Sequence, residues 1–122
     1  MHEIKLNIKK NAILIVLKGR MDSGEASNIV KRSKEGIDKL KPGFTAITDL
    51  SGYVPVSEEV RNHIKTVMQY AVENKIGRVI RIVADTPASN IGGIQFCRIS
   101  QEFGYKAEQA ASLEEAKQML GW

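Results

Sequence analysis

At 122 residues and 43% hydrophobic composition, the chain is long enough for one globular domain burying about two-thirds of its unfolded surface, and too short for a second. Its longest apolar run, AILIVL from Ala12 to Leu17, falls far short of the about 20 residues that span a bilayer, and MHEIKLNIKK lacks the apolar centre of a signal peptide, so a soluble cytoplasmic protein without a transmembrane segment is expected. The net charge of +4 is N-terminal, with ten Lys and Arg against five Asp and Glu in residues 1–44 and eight against nine thereafter; Glu25, Glu35 and Asp38 interrupt Lys31, Arg32, Lys34, Lys39 and Lys41, and no aromatic platform accompanies them, so a solvated helix face is expected rather than a nucleic-acid surface.

Ile4, Leu6 and Ile8 alternate with polar residues, KKN supplies a turn, and AILIVLKG follows as a more fully buried strand, so the chain opens with a β-hairpin that ends at Gly19. Residues 21–40 read as a helix capped by Asp22 with Glu25 three residues on, and Ala26, Ile29, Val30, Ile37 and Leu40 face inward; Pro42 and Gly43 stop it. FTAITDL is a short strand. After SGYVP a second helix begins at Ser57, with Val60, Ile64, Val67, Met68 and Ala71 at helical spacing, and Gly77 breaks the pattern. RVIRIVA is the next strand, and DTP opens a third helix with Pro87 in its first turn, buried along Phe96, Ile99 and Phe103 and closed by Gly104. YKAEQAA is a weak strand, and SLEEAKQML a final helix with a Ser112 to Glu115 capping box and a Leu113, Ala116, Leu120 face. The order ββαβαβαβα predicts a single α/β domain over residues 1–122. Its mixed five-stranded sheet has a first strand that joins antiparallel, and its helices pack mainly on one face.

The single cysteine, Cys97, cannot form an internal disulfide and, beside Phe96, reads as a small core residue; His2 and His63 stand alone, and nothing has the spacing of a zinc site, so neither a metal nor a cofactor is expected. SNIGGIQF is not a phosphate-binding glycine loop, and Gly92 and Gly93 are expected to permit close helix packing.

In this element order the sequence resembles the STAS domain family, and within it the SpoIIAA-like branch of anti-sigma factor antagonists. The resemblance spans nearly the whole chain and rests on LKGRMD (Leu17 to Asp22), similar to the family's strand-end Gly-x-Leu-Asp, on TDLSG (Thr48 to Gly52), similar to its central-strand Asp-Leu-Ser, and on SLEEAKQML. It implies a regulatory, non-enzymatic protein-interaction module whose first βα junction and second-helix start meet a partner protein. In the antagonists that helix start carries Asp-Ser-Ser-Gly with a phosphorylated serine. Laid without a gap from DLSG, the motif's Asp falls on Ser57, its phosphorylated Ser on Glu59 and its Gly on Val60, so the usual switch residue is missing.

The expected partner-binding region is therefore Asp22, Asp49, Ser51, Tyr53, Ser57, Glu58 and Glu59. Ser57 caps the helix, and Glu58 and Glu59 suit the positive end of its dipole. Asp22, Asp49, Glu58 and Glu59 are candidates for a catalytic or Mg²⁺ cluster, but no Gly-rich phosphate loop accompanies them and Asp22 and Glu59 already have capping or dipole roles, so no catalytic residue and no metal ligand is assigned. Met21, Tyr53, Val54, Val56 and Met68 form a second set. Exposed, such apolar residues near loops make a partner patch; lining a cavity, they make a pocket for a lipid-type ligand, an alternative to which the branch's likeness to the lipid-binding CRAL-TRIO fold lends support.

Overall fold

A computed structural model describes residues 1–122. Strands β1 (His2–Asn7) and β2 (Ala12–Leu17) form the antiparallel hairpin, followed by α1 (Ser23–Asp38), β3 (Thr45–Asp49), α2 (Glu58–Glu73), β4 (Val79–Ile82), α3 (Pro87–Phe103), β5 (Glu108–Ala110) and α4 (Leu113–Met119). The five strands lie side by side in chain order, and β2 to β5 are parallel. Right-handed crossovers that always step in the same direction put every crossover helix on the same face. That is where α1, α2 and α3 lie, over an 18-residue core that includes Ile13, Ile15, Leu17, Ile29, Ile64, Met68 and Phe96. α4 follows the edge strand and crosses nothing. It covers the opposite face, where Ile47, Ile80, Ile82, Ala110 and Ala116 make a smaller core.

Local chemistry explains most element ends. Each helix has an oxygen-bearing N-cap: Asp22, Ser57, Thr86 and Ser112 accept from the backbone N–H three residues on, which satisfies a donor the helix cannot. Gly104 closes α3 in the left-handed region, φ 73°, where a β-carbon would be strained. Asn11 takes φ 52° in the hairpin turn, and its side-chain amide exchanges hydrogen bonds with the backbone of Lys41, fastening the turn to the α1–β3 loop.

The sequence-based strands overrun the observed ones, most plainly in three of them. Ile8 lies in the turn and is exposed, β4 is 79–82 rather than 78–84, and β5 is only 108–110, with Tyr105 packed against the main core before the strand begins. Cys97 is exposed rather than in the core, because it sits one residue from the buried Phe96 and adjacent helix positions face different directions. His2 does not stand alone: its ring nitrogens lie 3.0 Å from Glu25 Oε2 and 3.0 Å from Arg32 Nη1. Arg81, buried in β4, has no carboxylate partner. Its guanidinium donates to Ser100 Oγ on α3, and burial lowers its pKa while Tyr105 and Cys97 oppose the shift.

Candidate functional site

The residues expected to meet a partner gather at the carboxyl end of the parallel strands, but on different sides of it. The β2 end is joined to the β3–α2 loop by a parallel bridge between Gly19 and Tyr53, with Gly19 N–H donating to the Gly52 carbonyl at 2.9 Å. Asp22 is exposed there and its Oδ1 accepts from Glu25 N–H at 2.8 Å. Asp49 Oδ1 accepts from Ser51 N–H at 2.9 Å and so shapes the turn that leaves β3. Strand alternation places Thr48 among Ile15, Ile64 and Met68 on the three-helix side, which turns Asp49 to the opposite face, away from the start of α2. The acids therefore do not converge, and no group of three or more His, Cys, Asp or Glu is arranged to hold a metal ion.

Ser57, Glu58 and Glu59 are exposed together at the start of α2. Ser57 Oγ accepts from Val60 N–H at 3.3 Å, a longer bond than the Asp22 cap makes. Arg61, one turn further on, donates to the Val56 carbonyl at 3.0 Å and fixes the entry of the chain into the helix.

Tyr53 anchors the whole loop from beneath. Only 2% exposed, its ring meets Phe96 edge-on at 5.9 Å, its hydroxyl donates to Gln95 Oε1 at 2.7 Å, and a β-carbon on Gly92 would lie 2.5 Å from its Cδ1. The expectation that Gly92 permits close packing is met, with an aromatic side chain as the neighbour. Burial raises the Tyr53 pKa, opposed by the nearby Arg61 charge. Two further residues complete the arrangement without any signal in the sequence. Ser89 is fully buried; its hydroxyl accepts from Ala84 N–H and donates to the Leu50 carbonyl, both at 2.8 Å, tying the β4–α3 loop to the β3–α2 loop. Gln95 holds the Tyr53 hydroxyl.

The second set of residues divides. Met21, Tyr53 and Met68 belong to the core, Val56 is half-buried and packed against it, and only Val54 is exposed, so the five form no continuous patch. Nor do they enclose a chamber. The space beside Met68, Ile64 and Phe96 is about 10 Å³, room for about one water and not for an acyl chain. An open groove of about 260 Å³ on the α4 side, floored by Leu14 and Ile47 beside Trp122, includes none of them. The sheet also lacks a reversal of strand order, the point at which open α/β sheets form their ligand crevice.

No protein-family profile matches the chain, and no curated protein does. Among solved structures nine chains match. One is the anti-sigma factor antagonist SpoIIAA in its unphosphorylated form, 16% identical, with a TM-score of 0.65 over 99% of this chain and 98% of that one. The chain has the fold of SpoIIAA. The expected SpoIIAA-like architecture is borne out, since the match spans almost the full length of both chains. With so few identical side chains, the likeness to SpoIIAA is one of fold. No helix here is long and apolar enough to cross a membrane.

Proposed function

We propose that this chain is a non-enzymatic regulatory module that binds a partner protein, of the kind an anti-sigma factor antagonist meets, through the β2–α1 junction and the start of α2. The observation that carries the reading is the match to SpoIIAA over almost the full length of both chains. The exposed set Asp22, Ser51, Val54, Ser57, Glu58 and Glu59 supports it, because it offers one apolar side chain among polar groups at a loop-rich end of a rigid scaffold. The serine switch of the antagonists is replaced here by a fixed charge: Glu59 stands where the gap-free reading puts the phosphorylated serine, and Ser57 is engaged as a cap. One carboxylate carries less charge than the about −1.5 to −2 of a phosphate, so Glu59 holds a single binding state rather than one of two.

Partner capture from native lysate tests this, using wild-type, Ser57→Ala and Glu59→Lys baits together with the intact mass of the recovered protein. Wild type and Ser57→Ala should retain the same partner, Glu59→Lys should lose it, and the wild-type mass should carry no phosphate. Stoichiometric phosphate on Ser57 would restore a switch. Identical captures from all three baits, or no partner at all, would remove the α2 start as the docking surface.

A further inference from the structure

A cleft of about 250 Å³ opens between α2 and α3, and four of its six lining residues carry hydrogen-bond donors. Arg61 and Lys65 come from α2, Gln95 and Arg98 from α3, over the buried Ile99. Glu102 is the single acid, and it is engaged by Lys65 at 3.2 Å. Arg61 spends one Nη on the Val56 carbonyl, and Arg98 has no protein acceptor. Gln95 is held in one orientation: its Oε1 accepts from Tyr53, which leaves its two amide hydrogens without a protein acceptor. Three cations against one carboxylate leave an excess of two positive charges facing an amide donor. Such a set is matched by a compact group with acceptors on every side and a double negative charge.

We propose that this cleft is a binding site for a phosphomonoester group. The two guanidinium groups supply planar forks, Lys65 a point charge, and the Gln95 amide a neutral donor, a mixture that suits the tetrahedral oxygens of a phosphate better than the two oxygens of a carboxylate. The volume lies below the about 300 Å³ at which pockets for drug-sized ligands begin, so it admits a phosphate and a short ester arm. Because Gln95 is shared, an occupant that bonds to its amide also bears on the Tyr53 hydroxyl and through it on the loop carrying Ser51 and Val54. The site is separate from the exposed acids at the α2 start and stands whether or not those acids dock a partner.

The test is a titration of the isotope-labelled protein, followed by backbone amide shifts at low salt, with glycerol 3-phosphate, a phosphoserine tripeptide and acetate as separate probes. Saturable shifts clustered on Arg61, Lys65, Gln95 and Arg98, with Tyr53 moving alongside, are expected for the first two and not for acetate. Arg98→Gln should weaken binding about tenfold, the loss of one charge-assisted contact. Lys31→Gln, which removes the same charge from the exposed face of α1, should bind as wild type does. Tighter binding of glycerol 3-phosphate assigns a small metabolite as the source, and tighter binding of the tripeptide assigns a phosphorylated chain; either order keeps the phosphomonoester. Absent shifts, shifts that fail to saturate, an equal response to acetate, or unchanged affinity in a folded Arg98→Gln protein would overturn the proposal.

Discussion

The Tyr53 ring occupies the space that a side chain on Gly92 would need: a β-carbon there would fall 2.5 Å from Tyr53 Cδ1 and 3.0 Å from Cε1. Gly92→Ala should therefore destabilise the protein by about 1–3 kcal/mol through overpacking, against the about 1 kcal/mol that alanine gains over glycine inside a helix. Urea unfolding measures the balance. In a double-mutant cycle with Tyr53→Ala, the Gly92→Ala penalty should vanish or reverse, since the clashing ring is gone.

The buried Ser89 hydroxyl makes a second, purely polar link, from the β4–α3 loop to the loop that carries Tyr53. Ser89→Ala should cost about 1–2 kcal/mol, because the Ala84 N–H loses its acceptor while the Leu50 carbonyl retains the Tyr53 N–H. Hydrogen exchange at the Ala84 amide should accelerate more than that of its neighbours in β4.

Tyr53 should make the protein sensitive to alkali. Its phenol is neutral when protonated and burial raises its folded pKa, so as pH rises the unfolded chain ionises first, near the ordinary value of about 10. The stability it contributes is intact below that pH and is lost as pH climbs through the folded value. Tyr53→Phe keeps the packing and gives up the bond to Gln95, so it should cost about 1 kcal/mol at neutral pH yet flatten the alkaline loss. Absorbance titration of tyrosinate checks the order: Tyr53 should titrate late, as should Tyr70, whose hydroxyl donates to the Asp38 carboxylate.

Arg81 is buried with a hydroxyl for a partner and no acid. Arg81→Met should be close to neutral or stabilising, because the buried charge is removed along with its desolvation penalty. Ser100→Ala should cost more, about 1.5–3 kcal/mol, by stripping the guanidinium of its acceptor. Thermal melts of the two variants suffice; a larger loss for Arg81→Met than for Ser100→Ala would mean the arginine stem carries the packing.

The parts of the fold legible in the sequence are those set by neighbours in the chain. Three of the four caps, Asp22, Ser57 and Ser112, the α1 stripe through Ala26, Ile29 and Ile37, and the hairpin all follow from spacing, and all are present. What spacing cannot convey is which surface a distant element covers. Met21 and Tyr53 lie in loops and invite a reading as exposed patch, yet both are core residues, and α3 closes over Tyr53 with Gly92, Gln95 and Phe96, about forty residues along the chain. Asp49 looks like a companion of Ser57 and Glu59 in the sequence, and strand alternation sends it to the other face. The α2–α3 cleft escapes a linear reading for the same reason. Arg61 and Lys65 sit a turn apart on one helix, Gln95 and Arg98 nearly a turn apart on another, and only the packing of the two brings them together.

Strand order equal to chain order has a consequence during synthesis. As the chain leaves the ribosome, each new strand finds the edge it pairs with already built, and no strand has to wait for one not yet made. The hairpin can form first, and each βα unit then extends the sheet by one strand while its helix shields the growing face. The growing edge moves outward with every addition and comes to rest on β5, opposite the β1 edge, three residues long and bearing the exposed Glu108 and Gln109, a stub too short and too polar to recruit another chain.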